Sequence, residues 1–229
     1  MRGAFFKLNH YYDQLINLNT LMKIKAIITD LDNTIFPVSS IGDKLFYPLF
    51  TLLEKSGEYK GDLNEIKKEL MRRPFQAIAK EYSFSAALKN DGISILNNLT
   101  YEENIQPFED YSFFKNLRCD KFLVTTGFSR MQQNKIDQLG IRNDFEKVYV
   151  IDPETTASVK KDIFWEIISG YGYEPAEVLI IGDDPGSELK AGKELGTQTI
   201  YYNHHGELSE TDGYETISSF ERLQNYLDQ

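Results

Sequence analysis

Short apolar runs that alternate with helical stretches are the feature that most limits what this chain of 229 residues can fold into. The runs are rich in β-branched residues and lie at 24–28, 121–125, 147–151, 178–181 and 198–202. After Pro107, helical patterning occurs near 108–117, 130–139, 161–170, 187–195 and 217–227. Continuous apolar runs of this length are typical of strands buried on both faces, and strands that alternate with helices form parallel sheets. The sequence therefore predicts an α/β fold.

The stretch that follows the first strand has a different pattern, because its apolar residues recur with helical spacing and no strand signal of length appears. Asp62, with Glu65 three residues later, is typical of a helix N-terminus. Ser85 to Leu99 predicts another helix, which we expect to break near Gly92.

These patterns predict a core that is split by an insertion. Residues 22–40 and 106–229 are assigned to the α/β core, and residues 41–105 to an inserted helical unit. Residues 1–21 precede the first strand and are interpreted as an N-terminal extension. They lack the apolar segment of a signal peptide.

Two carboxylates, Asp30 and Asp32, follow the first apolar run. Ligand sites in open α/β sheets lie beyond the carboxyl ends of the strands, so both acids are expected at the edge of an active site. One carboxylate can attack a phosphorus centre while its neighbour transfers protons. The alternative is an acidic strand end that only caps the next turn.

Four segments, taken in chain order, resemble the motifs of the haloacid dehalogenase-like hydrolases, the HAD superfamily. Asp-Leu-Asp-Asn-Thr at 30–34 is similar to the first motif, Asp-x-Asp-x-Thr, and Phe-Leu-Val-Thr-Thr-Gly at 122–127 is similar to the second. Lys160 and Lys161 fall where the third-motif lysine belongs, and the apolar strand that ends in Gly-Asp-Asp at 182–184 is similar to the fourth.

The resemblance implies a Rossmann-like parallel sheet flanked by helices. It also implies that the inserted helices form a C1-type cap, which closes over the site and excludes water during phosphoryl transfer. The alternative is an inserted bundle that only thickens the fold.

The resemblance also assigns roles to the first two acids. Asp30 is expected to be the nucleophile that forms an aspartyl-phosphate. Asp32 is expected to protonate the leaving oxygen and then to deprotonate the attacking water. Dehalogenases of this superfamily lack a carboxylate at the second position, so Asp32 favours phosphoryl transfer over dehalogenation.

Other residues are expected to bind the substrate phosphate. The resemblance implies that Thr125 donates its hydroxyl to a phosphoryl oxygen and that Thr126 and Gly127 contribute backbone N–H groups. Lys160 or Lys161 is expected to neutralise the phosphoryl group and to anchor the nucleophile. Lys160 fits the spacing slightly better, and both remain open at this point.

Converging carboxylates and a phosphate require a cation, and Mg²⁺ suits an all-oxygen site. The expected ligands are Asp30, the backbone carbonyl of Asp32, and Asp183. Asp184 is either an outer ligand or a helix N-cap. Glu188 stands where the family often has an aspartate, so it either reaches the metal through water or occupies the first turn of a helix.

Weaker candidates lie outside these motifs. Arg72 and Arg73 of the inserted unit could contact an anionic group of a substrate, although a solvated helix end is the preferred interpretation. Trp165, together with Phe164 and Ile168, is predicted to lie in the core.

The composition excludes several classes of protein. A net charge of −10 argues against nucleic acid as a partner, because phosphate-backbone binding needs concentrated Lys and Arg. The single cysteine, Cys119, excludes an internal disulfide and suits a reducing cytoplasm. No apolar stretch approaches the roughly 20 residues that span a membrane. The oligomeric state is not constrained.

The expected function is therefore a Mg²⁺-dependent phosphomonoesterase of the cytoplasm that acts on a small phosphorylated metabolite, such as a nucleotide or a sugar phosphate. The alternatives are a sugar phosphomutase of the same fold and a catalytically silent binding protein that keeps the fold.

Overall fold

A computed structural model describes residues 23–204 and 213–227 of the chain. The expected N-terminal extension, residues 1–21, lies outside them. The strands are β1 (Ala26–Thr29), β2 (Asp120–Thr126), β3 (Lys147–Ile151), β4 (Val178–Gly182), β5 (Gln198–Tyr202) and β6 (Glu215–Ile217). The α-helices are α1 (Gly42–Leu45), α2 (Tyr47–Ser56), α3 (Leu63–Leu70), α4 (Phe75–Glu81), α5 (Ala86–Asn98), α6 (Tyr111–Asn116), α7 (Ser129–Leu139), α8 (Lys160–Tyr171), α9 (Lys190–Leu195) and α10 (Gln224–Leu227).

The strands form one six-stranded parallel sheet in the order β3-β2-β1-β4-β5-β6. Thr29, the last residue of β1, pairs with Leu123 on one side and with Ile181 on the other. The chain therefore builds the sheet outward from β1 in one direction and then from β4 in the other. A crevice opens at such a switch point, beyond the carboxyl ends of the strands. The predicted Rossmann-like parallel sheet is confirmed.

Residues of β1 alternate between the two faces of the sheet. Ala26 and Ile28 belong to an apolar cluster that includes Phe164 and Ile167 of α8. Ile27 belongs to a second, larger cluster that includes residues of the helices between 42 and 98. Both faces of the sheet are covered, which is why Ala26, Ile27 and Ile28 are successive apolar residues.

Helices α1 to α5 follow β1 without an intervening strand, in line with the helical pattern of this stretch. The side chain of Asp62 caps α3 by accepting the Glu65 N–H at 3.0 Å, as the sequence predicts. The prediction that this helix breaks near Gly92 is wrong, because α5 continues through Gly92 to Asn98. A Cβ on Gly92 would lie 2.5 Å from Cζ of Phe75, so this glycine admits a neighbouring ring rather than ending the helix.

Two further expectations are corrected. Phe164 and Ile168 are buried as predicted, but Trp165 is 55% exposed, because adjacent residues of a helix point about 100° apart. The helix predicted over 217–227 begins later, since residues up to Ile217 form the edge strand β6. A 3₁₀ turn, Phe220–Leu223, and the short α10 follow. No helix in the described ranges has the length and apolarity to cross a bilayer.

Candidate active site

The chain turns sharply after β1, and this turn presents Asp30 and Asp32 beyond the sheet. Asn33 has a φ of 59°, in the left-handed region that asparagine tolerates better than most residues. Its side chain accepts the N–H of Val38 at 3.3 Å, while the N–H of Phe36 returns to the carbonyl of Leu31 at 3.1 Å. The local sequence therefore holds both acids at the carboxyl edge of the central strand.

Lys160 reaches the first of these acids from the start of α8. Its Nζ donates to Oδ1 of Asp30 at 2.8 Å and to Oε2 of Glu188 at 2.7 Å, and the side chain is buried. Lys161 points elsewhere and pairs with Glu194 at 2.7 Å on the surface. Of the two lysines that the sequence left open, Lys160 is therefore the one that lies in the site.

Three carboxylates converge beside this lysine. Asp30, Asp183 and Glu188 each place an oxygen so that these atoms lie within 4.8 Å of one another. Oε1 of Glu188 also accepts the N–H of Asp184 at 2.8 Å. Gly182 makes room for it, since a Cβ there would lie 2.1 Å from the same Oε1. Glu188 therefore faces the site rather than only occupying the first turn of a helix.

Asp184 takes a different position from its neighbour. Its Oδ1 accepts the N–H of Gly186 at 2.8 Å, so its side chain caps a π-helical turn, Pro185–Leu189. The three carboxylates that converge among the described residues do not include it. Asp184 thus has the N-cap geometry, which is one of the two alternatives that the sequence left open.

The electrostatics of the cluster follow from burial. Burial raises the pKa of Asp30 to about 7, with Glu188 adding to the rise and Lys160 opposing it. Burial, Glu188 and Asp30 together raise the pKa of Asp183 well above its usual value. Burial alone would lower the pKa of Lys160, but Asp30 and Glu188 outweigh it and raise that pKa, so the ammonium stays charged.

The charge of the cluster matches the needs of a divalent cation. Three carboxylates face one ammonium, so the group carries excess negative charge when all the acids are ionised. An all-oxygen donor set of this kind suits Mg²⁺.

The residues that the sequence predicts to bind phosphate lie at the end of β2 and directly after it. Thr125 is buried, and its Oγ1 accepts a hydrogen bond from Nε2 of Gln132 at 2.7 Å. Thr126 and Gly127 follow it along the wall of the same cavity. The N–H of Gly127 is donated to the carbonyl of Ile151 at 2.9 Å, so this N–H is already in use in the structure.

Sequence reasoning missed two polar residues of α7 that contact Asp32. Lys135 Nζ lies 2.6 Å from both Oδ1 and Oδ2 of Asp32, and Gln132 Nε2 lies 3.0 Å from Oδ2. Both side chains are buried. They lie on the same buried face of α7 as Met131 and Ile136. A lysine and a glutamine at positions where the helical pattern expects apolar residues are the sequence signal that could have identified them.

A cavity of about 390 Å³ joins these groups to the helices above them. Arg72 and Phe75 line it from the side of α3 and α4, opposite the strand ends. The aromatic rings of Phe75 and Phe128 lie 6.5 Å apart, and Gln76 donates to Glu154 at 2.7 Å. The cavity is therefore bounded by the helices that follow β1 as well as by the sheet.

The two arginines near this cavity differ in their contacts. Arg73 forms ion pairs with Glu69 at 3.0 Å and with Glu81 at 2.6 Å, so its positive charge is balanced by acids of the same helical segment. Arg72 is exposed and lines the cavity.

Comparison with known proteins gives one family and a consistent fold. The family model of the haloacid dehalogenase-like hydrolases matches residues 24–196. The glyceraldehyde 3-phosphate phosphatase of Methanopyrus kandleri is 24% identical over 197 residues, which are 77% of this chain and 83% of that protein. The pyrimidine 5'-nucleotidase YjjG of Escherichia coli is 30% identical over 108 residues, which are 46% of this chain and 48% of that protein.

Solved structures share the fold at low identity. The haloacid dehalogenase-like family protein SP0104 of Streptococcus pneumoniae superposes with a TM-score of 0.67 at 21% identity, covering 89% of this chain and 98% of its own. YfnB of Bacillus subtilis, solved bound to magnesium, superposes with a TM-score of 0.62 at 20% identity, covering 91% of this chain and 100% of its own.

Proposed function

This chain belongs to the haloacid dehalogenase-like hydrolases, and from that membership we propose that it is a Mg²⁺-dependent phosphomonoesterase acting through an aspartyl-phosphate. The observation that carries the proposal is the contact of 2.8 Å between Lys160 Nζ and Asp30 Oδ1. A second carboxylate, Asp32, follows Asp30 by two residues. A nucleophile, a cation that anchors it and a separate proton carrier are the groups that this chemistry needs.

The first step transfers the phosphoryl group to the protein. An oxygen of Asp30 attacks phosphorus, and the bond between phosphorus and the ester oxygen of the substrate breaks. The leaving oxygen keeps the electron pair and takes a proton from Asp32. The products are the alcohol and an acyl phosphate on Asp30.

The second step regenerates the enzyme. A water molecule attacks phosphorus and gives its proton to Asp32, and the bond to the Asp30 oxygen breaks with its electron pair. Inorganic phosphate leaves, Asp30 is again a carboxylate and Asp32 is again protonated. One pair of carboxylates thus performs both halves of the reaction.

The neighbouring side chains stabilise charge on the phosphoryl group. Lys160 presents a buried ammonium beside Asp30, and the Thr125 hydroxyl is available as a donor at the adjacent strand end. Asp30, Asp183 and Glu188, with the backbone carbonyl of Asp32, would hold Mg²⁺. When bound, the cation neutralises phosphate charge beside the nucleophile.

The helices between residues 41 and 105 are proposed to act as a cap. They bound the cavity opposite the strand ends, and a closed cap would exclude water until the phosphoryl group has been transferred. A volume of about 390 Å³ suits a small metabolite. The phosphatase and nucleotidase names of the relatives support a small sugar phosphate or a nucleotide as substrate.

The test is phosphate release from a panel of phosphorylated metabolites, measured with Mg²⁺ or with EDTA for the wild type and Asp30→Asn. We expect release by the wild type that requires Mg²⁺ and is abolished in the variant. Absence of release from folded wild type across the panel would contradict the proposal. A sugar-phosphate isomerisation assay and a ligand-binding assay would then examine the mutase and the binding protein.

A further inference from the structure

Gln132 and Lys135 of α7 carry an inference that rests on the proposed function and deepens it. We propose that these two residues are positioning residues, which fix the carboxylate of Asp32 for proton transfer to the leaving group and direct the Thr125 hydroxyl towards the phosphoryl group.

Lys135 fixes the orientation of Asp32 by contacting both of its oxygens. Nζ lies 2.6 Å from Oδ1 and 2.6 Å from Oδ2, so rotation of the carboxylate in either direction lengthens one contact. The lysine is 2% exposed, and lysines are almost never fully buried unless they are paired. A methionine or leucine would satisfy the stripe of α7 at lower desolvation cost, so packing alone does not account for an ammonium at this position.

Gln132 connects Asp32 to the phosphate-binding strand end. Its Nε2 lies 3.0 Å from Oδ2 of Asp32 and 2.7 Å from Oγ1 of Thr125. Because Oγ1 accepts from the amide, the proton of the Thr125 hydroxyl is free to point into the cavity. A Cβ on Gly127 would lie 3.1 Å from Cδ and Cγ of Gln132, so the glycine of this turn leaves room for the amide.

Asp30 and Asp32 are only two residues apart, but each carboxylate contacts a different lysine. Lys160 of α8 holds Asp30 within the group that also contains Asp183 and Glu188. Lys135 of α7 holds the Asp32 side chain through a separate contact of 2.6 Å. Oδ1 of Asp32 accepts from Lys135 alone among the described residues, so its second lone pair can hold the proton for the leaving group. Two cations on different helices therefore keep the nucleophile and the proton carrier apart.

The test compares substrates that differ in their need for an acid. An alkyl phosphate has a poor leaving group and needs a proton from Asp32, whereas p-nitrophenyl phosphate has a good one and needs it much less. We expect Lys135→Met to lower kcat/KM for the alkyl phosphate about 100-fold more than for p-nitrophenyl phosphate. Lys135→Arg should recover part of the difference.

Lys25→Met is the control, because it removes another lysine–carboxylate pair of 2.6 Å, that of Lys25 with Glu177, in a more exposed position just before β1. It should leave the ratio of the two kcat/KM values unchanged. An equal loss for both substrates in Lys135→Met would overturn the inference. If Lys135→Met does not fold, Gln132→Leu provides the test. It should also lower kcat/KM for the alkyl phosphate relative to kcat/KM for p-nitrophenyl phosphate, and an unchanged ratio of these two values would count against the inference.

The outcomes separate this inference from the function on which it rests. A wild type that releases no phosphate from any substrate would remove the proposed function. An active wild type with a uniform loss in the variants would leave the phosphatase in place and assign to α7 a purely structural role.

Discussion

Asp30→Asn should make the protein more stable than the wild type when divalent cations are removed with EDTA, although the variant is expected to be inactive. Burial raises the pKa of Asp30 from its ordinary value of 3.8 to about 7. Between about pH 4 and pH 7, the folded wild type therefore keeps the proton on Asp30, whereas the unfolded chain has already lost it. Its stability falls as the pH rises through this window, and the full penalty is present above about pH 7.

The size of the effect follows from the shift. A rise from 3.8 to about 7 is roughly 3 units at 1.36 kcal/mol each, or about 4 kcal/mol. Asparagine has the shape of the protonated acid and carries no charge. We therefore expect the two proteins to be similarly stable at about pH 4 and the variant to be ahead by about 4 kcal/mol at about pH 8.

The assay is urea unfolding in EDTA, followed by circular dichroism at several pH values. Adding Mg²⁺ at the higher pH should stabilise the wild type more than the variant, because only the wild type has all three converging carboxylates, those of Asp30, Asp183 and Glu188. A variant that is no more stable than the wild type at about pH 8, or a difference that does not change with pH, would refute the reasoning.

Three further predictions concern single residues. Lys160→Met should lower phosphate release about 1000-fold in a colorimetric assay, because the cation that holds Asp30 at 2.8 Å is lost; a small change would contradict its role. Gly92→Ala should cost about 1–3 kcal/mol in urea unfolding, since a Cβ there meets Phe75 at 2.5 Å; wild-type stability would show that the ring gives way. Arg72→Ala should raise KM in steady-state assays only for substrates with a second anionic group, because Arg72 is a cationic residue that lines the cavity. Equal changes in KM for all substrates would contradict this role.

The sheet and its central site were accessible from sequence because their signals are local. An apolar run long enough for one strand predicts that strand, and residues after its end fall at the carboxyl edge whatever the rest of the chain does. Asp30 and Asp183 could be placed in this way. The register of Thr29 against two neighbouring strands depends on long-range pairing that one chain does not display.

Helix phase explains what the sequence left open. Lys160 and Lys161 are adjacent, so their side chains diverge by about 100°, and only the exact start of α8 decides which one reaches Asp30. Glu188 lies in a π-helical turn that shifts the phase, so a count from Asp183 on an ordinary helix does not show where it points. Gln132 lies on the buried stripe of α7, and its contacts with Asp32 and Thr125 depend on long-range packing that a pattern of polar and apolar residues does not show.

The central claim, that Asp30 becomes phosphorylated, is tested most directly by trapping the intermediate. The wild type is mixed with Mg²⁺ and its best substrate, quenched in acid during turnover, and treated with borohydride, which reduces an acyl phosphate to an alcohol. Peptide mass spectrometry should then find homoserine at position 30 in the wild type and no modification there in Asp30→Asn. An unmodified Asp30 during rapid turnover, or reduction at another carboxylate such as Asp32, would contradict the account.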